Sequence, residues 1–122
     1  MSQPEFEHIR LSRVSDVVVI EVSTTNIQGP ALAQQLGTEL QHVLAQDWAK
    51  RFVVDLHKVT YLSSSGFAAI FRAVSEARKK GIEIKLCGMD GAVELGASIV
   101  GLDKVAEIHA TAQAALKAFT AS

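Results

Sequence analysis

Apolar residues along this chain recur with two periods, and the switching between them predicts its elements. Ile9 to Val14 alternates apolar and polar positions, Ser15-Asp16 is a turn signal, and Val17 to Val22 is dense in β-branched residues, so the chain opens with an antiparallel hairpin. After the polar link Ser23-Thr24-Thr25-Asn26, the pair Gly29-Pro30 fits a helix start, and Leu32, Leu36, Leu40, Val43 and Leu44 share one helical face. The run Phe52-Val53-Val54-Asp55-Leu56 is short, apolar and bounded by charged residues, the pattern of a strand buried on both faces.

A second helix follows, with Phe67, Ile70, Phe71, Val74 and Ala77 on one stripe. Arg78, Lys79, Lys80 and Gly81 close it with positive charge at the negative dipole end and a permissive glycine. Ile82 to Cys87 reads as a strand, and Asp90 as the N-cap of a helix with Ala92, Leu95 and Ile99 inward, broken at Gly101. Val105 to Ile108 is a short strand. Thr111 caps a final helix carrying Ala112, Ala115, Leu116 and Phe119 on one side. The order ββαβαβαβα makes the later strands parallel with right-handed crossovers, so the expected fold is α/β, a mixed, mostly parallel sheet with an N-terminal antiparallel hairpin.

The chain has 122 residues. That length fits a single domain over residues 1–122, which buries roughly two thirds of its unfolded surface without help from metal or disulfide. Twelve basic and thirteen acidic residues leave a formal charge of −1. Such a balance argues against nucleic acid and anionic lipid as partners. Cys87 is the only cysteine, so no intramolecular disulfide forms, and a reducing, cytoplasmic location is expected. The segment Met1 to His8 lacks the apolar core of a secretion signal, and the longest apolar stretches fall short of the ~20 residues that span a bilayer, so no membrane insertion is expected.

Candidate chemistry concentrates at Ser63-Ser64-Ser65-Gly66, between the buried strand and the second helix. Ser64 or Ser65 is the natural N-cap. Unpaired N–H groups and the positive dipole end let a serine here carry an anion, which makes it a candidate phosphorylation site. Enzyme readings fail on spacing. Ser64 has Gly66 after it but Leu62 before it, which is not a nucleophile elbow. Neither a GxGxxG turn nor a phosphate-cradling loop occurs. His8, His42, His57 and His109 lack helical ligand spacing, so no metal site is expected. Asp55 is read as an acceptor for loop N–H groups, His57 as a solvated loop histidine, and Trp48 as packing at the core edge.

The phrases Val53-Val54-Asp55-Leu56, Val59-Thr60-Tyr61-Leu62-Ser63-Ser64-Ser65-Gly66-Phe67 and Gly101-Leu102-Asp103-Lys104-Val105 resemble the STAS family of anti-sigma factor antagonists, over roughly residues 9 to 120. The resemblance implies helices packed largely on one side of the sheet, in a short right-handed β-α superhelix, and a function without catalysis or cofactor. It implies that the unmodified protein binds an anti-sigma factor, often itself a serine kinase, and that serine phosphorylation releases it. A serine phosphatase is a further implied partner. The acceptor two places before the motif glycine is Ser64, and Ser63, Ser65, Gly66 and Asn26 belong to the implied partner-binding loops. Where many members carry aspartate before the acceptor, this chain has Ser63, and Ser23 to Asn26 replaces the usual glycine-glutamate-leucine-aspartate segment. The alternative implied role is an accessory subunit of a lipid-transport ATPase, a constitutive adaptor.

Overall fold

In the computed structural model, residues 6–120 are described. Met1 to Glu5, most of the stretch read as lacking a secretion signal, lie outside the described residues, as do Ala121 and Ser122. Strands β1 (Ile9–Val14) and β2 (Val17–Val22) form the expected hairpin, in register from Ile9 opposite Val22 to Val14 opposite Val17. The turn puts Ser15 in the left-handed region at φ 57°. The chain continues through β3 (Asn26–Ile27), α1 (Gly29–Leu44), β4 (Arg51–Asp55), β5 (Tyr61–Leu62), α2 (Ser64–Lys79), β6 (Glu83–Cys87), α3 (Gly91–Val100), a 3₁₀ turn (Leu102–Lys104), β7 (Glu107–His109) and α4 (Ala112–Thr120). The main sheet has the order β1-β2-β4-β6-β7, parallel from β2 onward.

Alternation along these strands divides the interior in two. Val18, Ile20, Phe52, Val54, Ile84 and Leu86 face α1, α2 and α3 and make the main core. Val17, Val19, Val53 and Cys87 point the other way, where, among the described residues, α4 covers them with Ala115 and Phe119. Helices α1 and α2 meet at small residues, and a Cβ on Gly37 would lie 3.4 Å from that of Ala69. Among the described residues, no helix is long and apolar enough to cross a membrane.

Several sequence expectations change. The polar link and the serine approach contain strand: β3 and β5 pair in parallel as a separate two-stranded sheet. The cap of α2 is Ser63, not Ser64 or Ser65, because the β3–β5 pairing continues as Ser63 N–H donates to the Ile27 carbonyl at 2.9 Å, holding Ser63 extended at φ −70° and ψ 167°. The last strand starts at Glu107, since the 3₁₀ turn draws the Val105 and Ala106 N–H groups onto the Leu102 carbonyl.

The largest correction concerns α3. Asp90 does cap it, accepting from Val93 N–H at 2.9 Å, and Gly101 does end it at φ 83°. Its inward residues, however, are Val93 and Ala97, while Ala92 is exposed and Leu95 and Ile99 are 64% and 77% exposed. Small residues decide this rotation. The Phe67 ring packs so closely on Gly96 that a Cβ there would come within 2.5 Å of it, an approach that no side chain at position 96 permits. Trp48 also departs from its reading: it is half exposed, with the Arg13 guanidinium 5.4 Å from its ring centroid.

Candidate docking and modification site

The entrance to α2 is built from the β3–β5 pair upward. Ile27 and Leu62 are buried, and the backbone of Gly66 packs against both; a Cβ there would clash with Leu62 and sit 3.3 Å from Ile27 Cγ2. Glycine at 66 is therefore a packing requirement. Ser63 Oγ accepts from Gly66 N–H at 3.2 Å, which uses the first of the three hydroxyls to satisfy a free helix donor. Ser64, the first residue of α2, is exposed, and among the described residues no hydrogen bond engages its hydroxyl. Ser65 is half-buried.

The two serines inside the helix open onto different grooves. Ser64 heads one of about 400 Å³ that runs along Ala68, Phe71 and Ser75 to Val100. Ser65 lines one of about 470 Å³ between α1 and α2, with Pro30 and Gly37. Arg72 borders both. Beyond Val100, the exposed Leu95 and Ile99 extend an apolar surface along α3. Asn26 joins this end of the molecule by pairing with Tyr61 in β5, itself half exposed.

The segment before Asn26 is tied down, a feature that sequence reading did not find. His8 is buried and its ring nitrogens contact Thr24 Oγ1 at 2.7 Å and Gln35 Oε1 at 2.8 Å. Thr60 donates to the Thr25 carbonyl through both its N–H, at 2.8 Å, and its hydroxyl, at 3.1 Å. His8 gave no signal because its partners lie 16 and 27 residues away.

A second polar group sits at the carboxyl ends of the strands, on the face that α4 covers. Sheet register aligns Glu21, Asp55, Cys87 and His109 across β2, β4, β6 and β7. Asp55 is 7% exposed and accepts twice from His57, from its N–H at 3.0 Å and from Nδ1 at 2.9 Å. The loop-acceptor reading of Asp55 holds, whereas His57 is not merely solvated. Burial, then the charge of Asp55 and a hydrogen bond to it, push the Cys87 thiol up from 9.0 to about 12, so the thiol keeps its proton at neutral pH. Gly88, at φ 78°, lets the chain pass: a Cβ would lie 2.5 Å from Asp55 Oδ1 and 2.8 Å from His57 N. At the opposite ends of β4 and β6 a cleft of about 590 Å³ is lined by charged side chains that include two ion pairs, Arg51 with Glu83 at 3.3 Å and Lys85 with Glu107 at 2.9 Å.

The model of the STAS domain matches residues 9–115, most of the chain. This chain belongs to the STAS domain family. Solved structures agree on the fold. A serine-to-glutamate variant of RsbS from Moorella thermoacetica is 19% identical with a TM-score of 0.77, over 94% of this chain and 97% of that one. A STAS domain protein from Planctomyces limnophilus is 20% identical with a TM-score of 0.76, over 90% and 95%. The phosphorylated form of the Bacillus cell fate determinant SpoIIAA is 15% identical with a TM-score of 0.67, over 91% and 98%. A search of the curated proteins finds no significant match. The mixed sheet with its antiparallel β1–β2 hairpin is the STAS fold of these neighbours.

Proposed function

We propose that this STAS domain is an anti-sigma factor antagonist whose affinity for an anti-sigma factor with serine kinase activity is switched off by phosphorylation of Ser64. The observation that carries the reading is the division of labour at the helix entrance: Ser63 is spent on the cap, and the neighbouring Ser64 hydroxyl is exposed and unengaged beside an apolar groove.

Two physical terms set the outcome of modification. Phosphate adds about −1.5 to −2 charges, and an exposed helix N-terminus favours an anion by ~0.3–1 kcal/mol, so the domain stays folded. A partner packed over Ser64 would bury that charge unpaired at a cost of about 3–5 kcal/mol, a loss of hundreds-fold in affinity. Binding is therefore the quantity that changes. Asn26, Ser65 and Gly66 lie around the same entrance and border the docking surface in this reading.

Intact-mass and phosphopeptide analysis of protein from its native cell tests the site. One phosphate, lost in Ser64→Ala, is expected; a stoichiometric phosphate on Ser63 or Ser65 would remove Ser64 from the proposal. The exposed apolar face of α3 supports a second reading, a constitutive adaptor of a lipid-transport ATPase, since that face needs no phosphate to dock. Affinity capture separates the two: a kinase-like anti-sigma factor supports the switch, and membrane ATPase subunits support the adaptor.

A further inference from the structure

The group at the ends of β2 and β4 contains a histidine oriented toward a second carboxylate. Asp55 and Glu21 are register neighbours on adjacent parallel strands, so their side chains leave the sheet on the same face. An ionised carboxylate only accepts, so the 2.9 Å contact between Asp55 Oδ2 and His57 Nδ1 places the ring proton on Nδ1. The other ring nitrogen, Nε2, faces Glu21 Oε2 at 3.8 Å. That separation exceeds hydrogen-bond range. The other oxygen of Glu21 is already committed, with Lys58 Nζ 3.2 Å from Oε1.

One ligand atom each from Glu21, Asp55 and His57 can be chosen so that all lie within 4.8 Å of one another. With zinc bonds of about 2.0–2.2 Å in tetrahedral array, two ligand atoms stand roughly 3.4 Å apart, so the Nε2–Oε2 gap needs to close by only a few tenths of an ångström. A carboxylate that accepts from the far ring nitrogen is the arrangement that fixes tautomer and orientation in histidine–metal sites.

We infer that Glu21 and His57 form a site for a divalent transition metal ion of the zinc class, with His57 Nε2 and Glu21 Oε2 as ligands and Asp55 as the residue that orients the imidazole. Imidazole with carboxylate selects such an ion over magnesium, which prefers an all-oxygen set. Cys87, buried and protonated, stands outside the ligand set. Water completes the coordination, since the His57 side chain is 51% exposed. The histidine spacing that argued against a metal in the sequence missed this group because its members come from two strands and the turn after the second.

Calorimetric titration of the folded protein with zinc chloride, and separately with magnesium chloride, tests the site. The expected result is one equivalent of zinc bound in preference to magnesium, with affinity falling about tenfold or more in both Glu21→Gln and His57→Gln and unchanged in Cys87→Ala. Thermal melts of the two ligand variants establish that they remain folded, as their half-exposed and partly exposed positions lead us to expect. Absence of zinc binding by the unaltered protein, or zinc affinity in Glu21→Gln and His57→Gln equal to that of the unaltered protein, would overturn the assignment.

Discussion

The serine entrance to α2 and the acidic turn after β4 stand at the same end of the sheet, a few residues apart in the chain, yet they are organised in opposite ways. At the entrance, one hydroxyl closes the helix and the next is left to solvent. In the turn, the acceptor atoms of Asp55 are taken by its own loop and Cys87 hydrogen-bonds to it. The contrast separates a surface that is free to be modified from one whose groups are held by each other. A free hydroxyl can gain a charge without disturbing the fold; a carboxylate that anchors a turn cannot lose its partners without cost.

The strongest way to break this contrast is to charge the free hydroxyl. Ser64→Asp, or phosphate on Ser64, should lower affinity for the captured anti-sigma partner by roughly hundreds-fold while leaving the melting temperature nearly unchanged. A cooperative transition lost on modification would mean that Ser64 supports the fold after all.

Next in size is the alkaline behaviour of the held group. The Cys87 pKa is raised from 9.0 to about 12, so the folded state retains a proton that the unfolded chain gives up. Stability from this source is complete below about pH 9 and is lost as pH climbs toward 12, by up to about 1.4 kcal/mol for each pH unit in between. Denaturant titrations of the unaltered protein and Cys87→Ala should diverge in slope over that window; parallel curves would show that the thiol is not held by burial and Asp55.

Backbone substitutions probe the same turn at smaller cost. Gly88→Ala drives a Cβ against Asp55 and His57 from a left-handed backbone, and should destabilise by about 1–3 kcal/mol. Gly91→Ala, with nothing within 4 Å of its Cβ and at the first turn of α3, is the control that should cost nothing. Smallest is the comparison between neighbouring hydroxyls. Ser63→Ala should cost about 1 kcal/mol for the lost cap, and Ser64→Ala should stay within about 0.5 kcal/mol of the parent in chemical denaturation. Equal losses would erase the distinction on which the proposed switch rests.

Wherever a signal was local, the sequence carried it. β-Branched density and a two-residue turn sufficed for the β1–β2 hairpin, a run without polar faces marked β4 as central, and Asp90, Thr111 and Gly101 announced helix ends because capping needs only the next few backbone groups. The run of serines before Gly66 was legible for the same reason. Tertiary contact decided the rest. Which serine caps α2 depended on the pairing of Ser63 with Ile27; which face of α3 turned inward depended on Phe67 reaching Gly96; and the meeting of Glu21, Asp55 and His57 depended on the register of two parallel strands. Hydrophobic periodicity records how a helix or strand divides its own faces, but it holds no information about which neighbour approaches closest, and close packing of small residues can outweigh the pull of larger apolar ones.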